Sequence, residues 1–224
     1  RRRLTVGDGP VVAFDLDGVL LRTDSFTRLV LVRLGGSPAR LAEGLVLSPL
    51  LLGLAAFRTT RARAFALSAR VALRGLDEPA YRAPAAQVGA RLAAPGGPVM
   101  VDGVAQVRAH LADGAHVVVV TASEHHLARA FLDAAGLGAV DLLASGLGHG
   151  DRFARDARHN CSEHKVAALR AAGLTGVQVA YSDSLSDLPM LADAARAVLV
   201  NPSRRVLATA TRRLGTAPDV VRWR

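Results

Sequence analysis

Six polar residues stand at the ends or openings of short apolar runs. Asp15 and Asp17 follow "PVVAF", Thr121 follows "HVVVV", Lys165 opens "KVAAL", and Asp183 and Asp187 follow "VQVAY". Carboxylates gathered on one rim repel unless a cation joins them, and hard oxygen ligands with no His or Cys set among them suit Mg²⁺. The lysine is as informative as the acids. The chain holds 28 Lys plus Arg, and Lys165 is its single lysine. Ser162 reads as the N-cap of the run Val166, Leu169, which places Lys165 in a first helical turn, where the helix dipole disfavours a cation. An anionic neighbour is therefore expected.

The elements that must position these groups follow from periodicity. Residues 10–15, 116–121, 139–145, 177–182 and 197–200 read as buried strands. Between them, "SEHHLARAFLDAAG" and "SEHKVAALRAAG" each combine a capping serine, apolar residues at helical spacing and a terminal glycine. Strand and helix in alternation give an α/β fold, a Rossmann-like parallel sheet with helices on both faces. Ligands of such a sheet bind beyond the carboxyl ends of its strands, where Asp15, Asp17, Thr121 and Asp183 fall, with Asp187 one helical turn above Asp183. Residues 22–95 break the alternation. About four helices fit there, between "GGSP", "LSP", "RGLDEP" and the linker "APGGP", before the sheet resumes near "VMVDGVAQVRAHLADG". The expected organisation is a core of 1–21 and 96–224 with an all-helical cap at 22–95.

Composition narrows the class. With 224 residues, half of them hydrophobic, the chain is globular and can bury a sizeable core. A lone cysteine, Cys161, excludes a disulfide framework, and without a signal peptide a reducing cytoplasm is the expected compartment. The formal charge of +9 is concentrated: residues 22–95 carry eleven arginines against Asp24, Glu43, Asp77 and Glu78, a net +7. This segment also holds the uncharged 44–57 run "GLVLSPLLLGLAAF". Basic charge beside apolar residues suits an anionic substrate, a lipid phosphate or peripheral contact with an acidic membrane surface. Nucleic acid is not the expected partner, and oligomeric state is not readable.

The motifs together resemble the haloacid dehalogenase superfamily of phosphohydrolases. "FDLDGVL" is similar to its first motif, "VVVVTAS" to its second, the lysine of "CSEHKVAAL" to its third and "YSDSLSDLPML" to its fourth, in order along the whole chain. The helical insertion resembles the subgroup that includes phosphoserine phosphatase and some lipid-phosphate phosphatases. "SDS" stands where Gly-Asp-Ser is commoner. The resemblance implies a Mg²⁺-dependent phosphatase in which Asp15 is the nucleophile, forming an aspartyl-phosphate, and Asp17 the general acid and base. Asp15, Asp183 and the backbone carbonyl of Asp17 would ligate the metal, with Asp187 as a further ligand or partner. Thr121, Lys165, Gly18 and the amides of Ala122 and Ser123, taken to open a helix, would hold the phosphoryl group. Lys165 would lie at a polar rim between Asp15, Asp183 and the phosphoryl oxygens, so that its replacement should leave folding little changed.

Other residues have plainer readings. Asp24 is an N-cap, Cys161 a small buried residue, and His125 and His126 surface residues. His159, Cys161 and His164 crowd one helix start too closely for a tetrahedral zinc site. Three rival functions remain. A dehalogenase needs only the first aspartate, and Asp17 argues against it. A phosphomutase or phosphotransferase would use the same residues. A basic nucleic-acid- or membrane-binding protein would use the core only as a scaffold.

Overall fold

A computed structural model of the chain describes residues 9–57, 59–148, 153 and 159–224. Six strands form one sheet: β1 (Val11–Phe14), β2 (His116–Glu124), β3 (Asp141–Ser145), β4 (Val179–Ser182), β5 (Arg196–Val200) and β6 (Asp219–Val221). Their order is β3-β2-β1-β4-β5-β6, and every neighbouring pair is parallel. The strand alternation sorts the core into two layers. Val12, Phe14, Val117, Val119, Val179 and Tyr181 enter one hydrophobic cluster, while Val11, Ala13, Val118, Val120 and Ala180 enter the other. Both faces are covered, which is why these strands read as unbroken apolar runs.

Helices α1 (Ser25–Gly35), α2 (Pro38–Ala56), α3 (Arg61–Ala72) and α4 (Glu78–Ala93) fill the stretch between β1 and α5 (Val101–Ala112). Asp24 caps α1 as expected, its carboxylate accepting from the Thr27 amide at 2.6 Å. The stretch where the sheet was expected to resume is α5. Met100 at its N-cap, Val104 and Val107 recur at helical spacing and are buried in the first cluster, so the sheet restarts only at His116. From α6 (His125–Ala134), Leu127, Phe131 and Leu132 join the same cluster, whereas α7 (Glu163–Ala171), α8 (Leu188–Asp193) and α9 (Arg204–Leu214) contribute Val166, Leu191 and Ala210 to the opposite one. Connections out of β1 and β2 thus cover one face, and those on either side of β4 and β5 the other. The reversal lies between β1 and β4, where the loops part and leave a crevice. Strand β6 went unforeseen: its three residues are exposed or half-buried at the sheet edge and show no apolar run.

Candidate active site

The crevice between β1 and β4 collects most of the residues singled out by sequence. Asp15 leaves β1 with its amide still bonded to the Tyr181 carbonyl of β4 at 2.9 Å, which fixes its side chain at the reversal point. Its Oδ1 accepts from the Leu16 amide at 2.8 Å and from Lys165 Nζ at 2.8 Å. Oδ2 takes no bond from any described residue and is the oxygen left for an incoming group. Gly18 then turns the chain at φ +81°, and a Cβ there would lie 2.1 Å from Asp183 Oδ2. Glycine is required on both counts, since the left-handed backbone disfavours a side chain and the Asp183 carboxylate occupies the space of one.

Lys165 lies in the first turn of α7 as expected, but it is not at a rim. Only 1% of it is exposed, and its ammonium bridges Asp15 Oδ1 and Asp187 Oδ2, each at 2.8 Å. The expected partner Asp183 is replaced by Asp187. The reason is local: Asp183 precedes the helical turn, and the 3-10 turn Leu185–Asp187, capped by Ser184, swings Asp187 back beneath it. Asp187 Oδ2 also accepts from the Ser182 hydroxyl at 2.8 Å, so this carboxylate is buried and committed to Lys165 and Ser182. Ser162 precedes α7 with φ +55° but makes no side-chain cap. The order Asp15, Lys165, Asp187, Ser182 is a continuous buried chain of charge and hydrogen bonds.

Asp17 faces the helical insertion. Its Oδ1 accepts from the Ser25 amide at 3.0 Å, and its Oδ2 lies 3.1 Å from the Ser25 hydroxyl. That hydroxyl is 2.7 Å from Ser123 Oγ, so the first residue of α1 touches both the β1 loop and the end of β2. Sequence gave Ser25 no role beyond following an N-cap, because its partners lie 8 and 98 positions away.

Thr121 is buried at the end of β2, its Oγ1 accepting from the Ser123 amide at 2.9 Å and its own proton left to donate. The expectation for Ala122 and Ser123 needs correction. Both belong to β2, which runs to Glu124, and the cap of α6 is Glu124 rather than Ser123. The Glu124 carboxylate takes the amides of His126 and Leu127 at 2.9 and 3.0 Å and the Tyr81 hydroxyl of α4 at 2.6 Å. A carboxylate already fills the anion position at this helix start, and the Ser123 amide is spent on Thr121.

Burial sets the electrostatics. Desolvation, with the Asp24 charge adding to it, pushes the Asp17 carboxyl up to about 7, against the Ser25 bonds that favour its ionised form. Asp183 is raised to about 6, again chiefly by burial and then by Asp187. Asp15 is held well above the usual carboxylate range because burial outweighs the attraction of Lys165. Burial alone would lower the Lys165 ammonium, but Asp15 and Asp187 overcome it and raise it. One committed lysine therefore faces more carboxylate than it can neutralise.

That deficit fits a divalent cation. Among the described residues no three His, Cys, Asp or Glu side chains form a ready cage, but Mg²⁺ needs only one or two carboxylates and keeps several waters. The Asp183 carboxylate, across Gly18 from the Asp15 loop, is the group open to it. Of the residues crowding the start of α7, His159 stacks on Phe65 with ring centroids 4.9 Å apart, and His164 Nδ1 lies 3.2 Å from the Cys161 carbonyl. Cys161 is half-buried rather than buried. His125 is exposed and His126 half-buried, its Nε2 3.4 Å from Glu78 of α4.

Known proteins resemble this chain in both sequence and structure. Residues 12–192 match the family model of haloacid dehalogenase-like hydrolases. No curated protein sequence matches. Among solved structures, a protein of unknown function from Bordetella pertussis Tohama I is 24% identical with a TM-score of 0.78, over 96% of this chain and 99% of that one. A phosphoserine phosphohydrolase-like protein from Francisella tularensis subsp. tularensis SCHU S4 is 16% identical with a TM-score of 0.61, over 95% and 94%. A phospho-aspartyl intermediate analogue of phosphoserine phosphatase is 12% identical with a TM-score of 0.58, over 96% and 93%. These likenesses show a shared fold.

Proposed function

Because the chain belongs to the haloacid dehalogenase-like hydrolases, we propose that it hydrolyses a phosphate monoester in two steps through Asp15. The observation that carries this reading is the division of labour on Asp15: Oδ1 is fixed by the Leu16 amide and Lys165, and Oδ2 is left open at the strand end. In the first step Oδ2 attacks phosphorus and the ester P–O bond breaks. Asp17, whose carboxyl is raised to about 7, gives its proton to the departing ester oxygen. In the second step the Asp17 carboxylate takes a proton from water, the water oxygen attacks phosphorus, and the bond to Asp15 breaks to release phosphate. Thr121 donates to a phosphoryl oxygen, as does the Ala122 amide.

Asp15, Asp183 and the Asp17 carbonyl would hold Mg²⁺, which when bound neutralises phosphoryl charge and the excess of carboxylate. Asp187 acts as a positioning residue for Lys165 rather than as a metal ligand, a narrower role than sequence gave it. Helices α1 to α4 act as the cap over this crevice, with Ser25 as their point of contact with Asp17. The ester is a small metabolite or lipid phosphate. A panel of phosphate esters, including p-nitrophenyl phosphate, tests the reading: phosphate release should require added Mg²⁺, stop in excess chelator and fall about a hundredfold or more in Asp15→Asn. Release that survives chelator and Asp15→Asn overturns it.

A further inference from the structure

We propose that α2 is a membrane-docking element that lies in the interface of an anionic bilayer. This goes beyond the hydrolytic reading and does not depend on it. Leu47, Leu51 and Leu54, at i, i+4 and i+7, are half-buried on the inner side of α2, which packs chiefly on α3. A helix at a water-facing surface should be polar on its other side. This one is not: Leu45, Val46, Leu52 and Phe57 are 65%, 79%, 72% and 67% exposed, and Leu31 of the neighbouring α1 is 58% exposed.

The backbone is prepared for a medium without water. Pro49 interrupts the helix and frees the Leu45 carbonyl, yet the Ser48 hydroxyl turns back to donate to that carbonyl at 2.8 Å. At the other end the Thr60 hydroxyl lies 2.6 Å from the Leu54 carbonyl and 3.2 Å from that of Phe57. Residues 44–57 contain one polar side chain, that of Ser48, and its hydroxyl is spent on the backbone. Such self-satisfaction is what apolar surroundings demand of a proline-broken helix.

Charge and topology choose the occupant. The insertion carries eleven arginines against four acids. At the root of α1 and α2, burial and the like charge of Arg40 push the Arg33 guanidinium down. A lipid phosphate supplies the counter-charge to this basic margin. A second copy docked through the same patch would instead bring two such basic margins together. At 19 residues and ~28 Å, α2 has the length and composition to cross a bilayer, but Phe26 and Leu29 of α1 and Phe65 and Ala69 of α3 root both flanking helices in one core. The chain therefore returns to the side it left, and α2 lies in the interface.

Flotation with vesicles tests this. The protein should float at low salt with vesicles of equal parts phosphatidylcholine and phosphatidylglycerol, and far less with phosphatidylcholine alone. Val46→Asp with Leu52→Asp should cut binding about tenfold or more, while turnover of a soluble ester and the thermal melt stay unchanged. Equal recovery with both vesicle types overturns the proposal. So does a dimer, seen by light scattering, that the double variant dissolves in a protein that floats with neither.

Discussion

Lys165 shows what one side chain can decide. Its ammonium is buried between Asp15 and Asp187, where a planar guanidinium is larger and would displace one carboxylate or the phosphoryl group. Lys165→Ala and Lys165→Arg should each lower kcat by about a hundredfold or more, because the charge they disturb is concentrated during transfer. Folding should suffer too. Lys165→Ala leaves two buried carboxylates without their cation, a loss of about 3–5 kcal/mol in the metal-free protein. Steady-state kinetics with thermal melts checks both, and Lys165→Arg at wild-type rate with an unaltered melt would make the lysine an accident of composition. Sequence exposed the oddity of this lysine and its need for an anion. It could not distinguish Asp183 from Asp187, because four residues of separation read as one helical turn whereas the chain makes a 3-10 turn beneath Asp183.

At the scale of elements, helix α1 meets the chemistry through its first residue. The amide and hydroxyl of Ser25 bond the ionised form of Asp17 and hold its carboxyl lower than burial alone would. Ser25→Ala removes the hydroxyl bond, so the Asp17 carboxyl should titrate higher and the alkaline limb of the kcat profile should move to higher pH. A pH-rate profile decides it, and a limb that stays in place or moves down contradicts the contact. The strands and the helices α6 and α7 were legible because apolar runs and capping grammar are local. The start of α6 slipped by one residue because Ser123 is an ordinary cap residue and Glu124, which does the capping, gains its value from Tyr81, 43 positions earlier. Pairings of that range leave no periodic trace. Strand β6 and the exchange of α5 for a sheet segment failed for the same reason, since an edge strand and a capless helix are defined by what they pack on.

The whole molecule stores its unneutralised carboxylates where strands β1 and β4 part. Asp15, Asp17 and Asp183 all bind protons more tightly in the folded state than in the unfolded chain. Stability is therefore lost as pH rises from the unfolded values near 4 through the folded ones at about 6 and 7. The effect is isolated by Asp17→Asn, which stays neutral at every pH. In chelator, the melting temperature of Asp17→Asn relative to wild type should climb from pH 5 to pH 8. Mg²⁺ should raise the wild-type melt most at the alkaline end, by binding the folded state alone. A flat difference across that range would contradict the burial of charge described here.

The covalent role of Asp15 is the claim on which the rest depends. Protein quenched during turnover of a phosphate ester and treated with borohydride should carry homoserine at position 15, because an acyl phosphate is reduced to an alcohol whereas a free carboxylate is not. Peptide mass spectrometry reads the change directly. The account predicts reduction at Asp15, absent without substrate and absent in Asp15→Asn. An unmodified Asp15 under conditions of steady phosphate release, or reduction at Asp17 instead, would contradict it.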